Sequence, residues 1–65
     1  MTKERSYTRI KLLAKWLYDI AEEIANNTLL NNEDIMILLF SMKNIMSELD
    51  TEVTIVLREN SQNTK

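Results

Sequence analysis

Neither glycine nor proline occurs anywhere in the 65 residues. Tight hairpin turns draw on the positive φ that glycine tolerates and on the preset φ of proline, so a fold built from many sharp reversals is disfavoured. An all-β chain does not fit this composition. Helices joined by a polar connection do.

The richest apolar stretch is Ile35-Met36-Ile37-Leu38-Leu39-Phe40, and it continues at helical spacing to Leu57. Leu39, Met42, Met46, Leu49, Val53 and Val56 recur at alternating intervals of three and four, which lines one face of a helix and cannot line one face of a strand. Ile35, Leu38, Ile45 and Leu57 widen this stripe into an arc broader than a single neighbouring helix covers. Met36, Ile37 and Phe40 project away from the main stripe, so the start of this helix is expected to meet a second surface. The β-branched run Val53-Thr54-Ile55-Val56 has strand propensity and leaves residues 53–57 open between helix and strand.

Upstream, Ile10, Leu13, Leu17, Ile20 and Ile24 alternate in the same way, flanked on one side by Ala14, Ala21 and Ala25 and on the other by Leu12 and Trp16. The spacing predicts helix one over about 3–25, a turn over about 26–31 and helix two over about 32–57. In the connection, Asn26 and Asn27 suit the left-handed conformation that ends many helices. Asn31 is a good N-cap, Glu33 and Asp34 place negative charge in the first turn, and Leu30 and Ile35 hold the positions of a hydrophobic staple. Residues 60–65 carry no apolar anchor and are expected to form a disordered polar tail beyond a single domain over 1–59.

A chain of this size buries only about 60% of its unfolded surface and is marginal alone. With no Cys or His, neither a disulfide nor a zinc site is open to it, which leaves oligomerisation. The expected fold is all-α: an antiparallel two-helix hairpin that pairs as a homodimeric four-helix bundle. Lys11 and Lys15 interrupt the segment after the basic N-terminus, so no secretory signal is read there. The charges in helix two leave no apolar run long enough to span a bilayer, and a cytoplasmic location is expected.

Catalysis has little to work with. Without His, Cys or a Gly-rich phosphate loop there is no proton shuttle near neutral pH, no thiol nucleophile and no nucleotide cradle, and the adjacent Glu22 and Glu23 point in different directions on a helix. No enzyme activity, cofactor, metal or small-molecule substrate is expected. Charge is uneven, at net +4 over the first 15 residues and −6 over the rest. Lys3, Arg5, Arg9, Lys11 and Lys15 thus make either a basic surface for RNA or DNA or a set of partners for Glu52 and Glu59, which an antiparallel hairpin brings alongside. Met36, Ile37, Phe40, Leu12 and Trp16 are the candidate protein-interface residues.

In its short length, hairpin plan and opening Met1-Thr2-Lys3 the chain resembles the plasmid copy-number regulators of the repressor-of-primer type, a likeness that implies an antiparallel four-helix bundle binding RNA. The segment Ser47-Glu48-Leu49-Asp50 is similar to part of the serine-glutamine-glutamate-leucine-aspartate motif of small sporulation phosphatases acting on a response regulator. Here the glutamine is missing, and the segment lies later in helix two than that motif. The leading expectation is a small non-catalytic regulatory or inhibitory protein that binds another protein through its helices, of the kind phages and plasmids encode. A nucleic-acid-binding regulator is the alternative and the phosphatase the third reading.

Overall fold

A computed structural model describes residues 3–63 of the chain, with side chains for residues 4–61. Helix α1 spans Lys3–Asn26 and α2 spans Asn32–Asn63. The two pack antiparallel along most of α1, in a rod of 52 × 16 × 15 Å.

The buried seam of α1 is Ser6, Ile10, Leu13, Leu17, Ile20 and Ile24, all buried or half-buried, with Leu13 fully enclosed. On α2 the matching seam is Ile35, Leu38, Met42, Ile45, Leu49, Glu52 and Val56. Both rows alternate at three and four, the spacing that keeps two helices in register along a shared line. This corrects the stripe read from sequence. Met42, Leu49 and Val56 belong to the seam, whereas Leu39, Met46 and Val53 lie outside it and remain exposed. The apolar arc of α2 holds two overlapping rows of this spacing, and one neighbouring helix covers only one of them. The row that includes Ile35, Leu38 and Ile45 is the one covered, even though it takes in Glu52.

The connection closes without any left-handed residue, since no described residue has positive φ. Instead, Asn27 organises it with its side chain. Its Oδ1 accepts from the Leu29 amide at 3.0 Å, its Nδ2 donates to Glu23 Oε2 at 2.8 Å, and its carbonyl accepts from the Leu30 amide at 3.4 Å. An Asx turn of this kind replaces the backbone reversal that glycine would otherwise supply. Asn31 then caps α2 reciprocally: Asp34 N donates to Asn31 Oδ1 at 2.8 Å, and Asn31 N donates to Asp34 Oδ2 at 3.3 Å. Two backbone donors at the helix start are thereby satisfied.

Residues 53–57 are helical, so their β-branched side chains do not impose a strand. The helix also runs on to Asn63, through residues expected to form a disordered tail. With no glycine or proline to stop it and with Arg58, Glu59 and Gln62 being good helix formers, the backbone ladder continues past the last apolar anchor. Residues 64–65 of that expected tail lie outside the described residues.

Candidate functional site

The ion pair across the hairpin defines its two sides. Arg9 Nε lies 3.3 Å from Glu52 Oε2 and Arg9 Nη2 lies 3.7 Å from Glu48 Oε1. Arg9 precedes the seam residue Ile10, and Glu48 precedes Leu49, so residues just before a seam position share this side in both helices. Trp16 and Glu23 of α1, and Asp34, Ser41 and Ile55 of α2, fall on it by the same rule. Residues that just follow a seam position lie on the opposite side: Tyr7, Ala14 and Ala21 from α1, and Leu39, Met46 and Val53 from α2. The first side is charged. The second is apolar next to the seam, with Lys11, Lys43 and Asp50, which also follow seam residues, further round it.

The five candidate interface residues are all exposed, but they do not form one surface. Met36 and Phe40 line a groove of about 400 Å³ with Leu39, Met42, Met46 and the stem of Lys43. Ile37 lies instead in a recess with Glu23, Leu30, Asp34 and Leu38, near the connection. Leu12 lines a third concavity with Arg5, Thr8 and Arg9, and Trp16 stands one turn further along that charged side. Met36 and Phe40 thus lie on one flank of the hairpin, and Ile37, Leu12 and Trp16 on the other.

The basic residues are similarly dispersed. Arg9 is engaged by two carboxylates, and Lys15 Nζ donates to Asp19 Oδ2 at 3.1 Å on its own helix. Arg5 borders Ser6, Arg9 and Glu52 at the open end of the seam, and the Lys3 side chain lies outside the described residues. Lys11 is exposed on α1. Glu52 is therefore a pairing partner, as the sequence allowed, and Glu48 joins it without having been singled out. Ser6 was also missed: a small polar side chain carries no hydrophobic signal, yet it is buried beside Glu52, where its size leaves room for the carboxylate.

Of the segment Ser47-Glu48-Leu49-Asp50, Leu49 is part of the seam and Glu48 pairs with Arg9, while Ser47 and Asp50 are exposed. Among the described residues no group of three or more His, Cys, Asp or Glu side chains is placed to hold a metal ion. No described helix is long and apolar enough to cross a membrane. The chain matches no protein-family model, and neither a curated protein nor a solved structure matches it significantly.

Proposed function

We propose that the protein is a small non-catalytic regulatory or inhibitory protein of the cytoplasm, which acts by binding another protein through exposed helix faces, and that two hairpins pair as a four-helix bundle. One observation carries this reading. Among the described residues, Leu13 and Val56 are the only buried hydrophobic side chains, while twelve large ones are exposed. Scattered apolar residues are normal on a surface, but a groove whose lining is apolar except for Lys43 supports reading it as a site of association. Met36, Phe40 and Met46 in that groove are of the adaptable kind enriched in protein interfaces. The same plan suits an accessory protein of a phage or plasmid.

Nucleic-acid binding through α1 ranks below this reading because Arg9 and Lys15 are already neutralised by carboxylates of the same chain. The two are separated by cross-linking the full chain to its partners in the native cell and then titrating the recovered partner over a salt series. A protein partner whose affinity changes little with salt supports the proposal. A nucleic acid whose log affinity falls steeply with log salt overturns it.

A further inference from the structure

The apolar side of the hairpin has a repeat of its own. Tyr7, Ala14 and Ala21 recur every seven residues along α1, and Leu39, Met46 and Val53 recur every seven along α2. Each follows by one position every second residue of the buried seam, Ser6, Leu13 and Ile20 on α1 and Leu38, Ile45 and Glu52 on α2, so this side offers a second packing line parallel to the first. None of the six carries a charge. On the other flank stand Arg9, Glu23, Asp34 and Glu48.

We infer that a second copy of this chain seats on the side formed by Tyr7, Ala14, Ala21, Leu39, Met46 and Val53, with α1 of each protomer laid against α2 of the other. The inference rests on the homodimer reading above and names the surface and orientation of that dimer. Area is the first argument. The chain exposes 5320 Å², whereas a compact protein of 7.7 kDa exposes about 4,300 Å² by the scaling of surface with mass. The surplus of about 1,000 Å² is close to the roughly 800 Å² that each partner loses in an interface of standard size.

Symmetry is the second argument. A two-fold interface brings a patch against its own copy, which an uncharged apolar patch accepts without like-charge opposition. Lys43 also lines the groove, and a lysine in such a place can lay its stem along the apolar surface while its ammonium stays in water.

Side-chain size decides the orientation. Ala14 and Ala21 are small, while Leu39 and Met46 are large and exposed. Placing each α1 against its own copy, antiparallel about the two-fold axis, would set Ala14 opposite its own copy and leave a gap there, beside a crowded contact of Met46 with its own copy. Crossing α1 onto the partner's α2 sets Ala14 and Ala21 against the partner's Met46 and the partner's Leu39, with Tyr7 against the partner's Val53 in the third layer. All four neighbouring helix pairs are then antiparallel, and both connections lie at the same end of the bundle.

Sedimentation equilibrium on the full chain and on single variants tests the surface. Wild type should be dimeric, Met46→Glu should weaken dimerisation by about 100-fold or more because it places an unpaired charge in the interface, and Trp16→Glu on the charged side should leave it within about threefold. A dimer that withstands Met46→Glu but dissociates with Trp16→Glu overturns the inference and leaves the homodimer reading standing. A wild type that stays monomeric at millimolar concentration overturns both.

Should Met46→Glu prevent folding, Ala21→Cys gives a milder readout in a chain that has no other thiol. Its maleimide reactivity should fall as protein concentration rises, whereas that of Trp16→Cys should not, and the reverse order counts against the surface. Nitroxide labels on Thr28→Cys, in the connection, report orientation. A separation far below the 52 Å length of the hairpin is expected, and one approaching that length would overturn the crossed arrangement.

Discussion

The Nε of Arg9 lies 3.3 Å from Oε2 of Glu52, and that pair admits a carboxylate to the seam between Leu49 and Val56. The Glu52 side chain is 16% exposed, while that of Arg9 is 49% exposed, so the acid is held in the seam and its partner reaches in from solvent. Small Ser6 lies beside them. The seam thus changes character along its length, apolar from the connection to Leu49 and mixed beyond it.

Because Arg9 is half in water, the pair should contribute little. A double-mutant cycle of Arg9→Ala and Glu52→Ala, read by denaturant unfolding, should give a coupling free energy of no more than about 1 kcal/mol, shrinking as salt is added. A coupling of several kcal/mol would mean that this end of the seam is far drier than its exposure implies.

Among the described residues Leu13 is the one large side chain that is wholly enclosed, so it should be the most sensitive position in the hairpin. Leu13→Ala is expected to cost about 2 to 5 kcal/mol, and half-buried Leu49→Ala less. In a domain this small the first loss is comparable to the whole stability, and circular dichroism should show Leu13→Ala largely unfolded at 25 °C. If Leu49→Ala proves the more damaging, the core lies nearer α2 than the burial shows.

The reciprocal bonds between Asn31 and Asp34 predict a cap effect independent of any partner. Asn31→Ala should destabilise by about 1 kcal/mol, seen as a fall in melting temperature of about 4 to 8 °C, while Asn32→Ala, one residue on, should change it far less. Equal effects at the two positions would remove Asn31 from the cap.

Much of this architecture could be read from residue types alone, and the exceptions have physical causes. Ile10, Leu13, Leu17, Ile20 and Ile24 leave α1 a single apolar row, so its inward face was unambiguous. In α2 the row starting at Leu39 looked better because it contains no charged residue, yet the row with Glu52 faces α1. A periodic pattern identifies a helix face but does not say which of two apolar faces meets a given neighbour. The connection was placed from its asparagines, but the means by which Asn27 turns the chain is a side-chain hydrogen bond rather than a left-handed residue. Continuation of α2 to Asn63 was missed because hydrophobic periodicity ends where helix propensity does not. The candidate interface residues were not sorted between the two sides, because apolar spacing within one helix does not say where the neighbouring helix lies.

Phe40 tests that sorting most directly. It follows the seam residue Leu38 by two positions and precedes Met42 by two, so at about 100° per residue it points away from α1. It is 60% exposed and shares the groove with Met36. Truncating it therefore removes nothing from the hairpin's own core, and Phe40→Ala should retain its helicity and melt within a few degrees of wild type. An aromatic anchor in an interface, by contrast, commonly contributes about 2 kcal/mol, which corresponds to a loss of about 30-fold in affinity. The measurement is circular dichroism on the purified variant alongside titration of whichever protein is cross-linked to the wild type in its native cell. Unfolding of the variant would place Phe40 in the core, and unchanged affinity would move target binding to the side that carries Leu12 and Trp16.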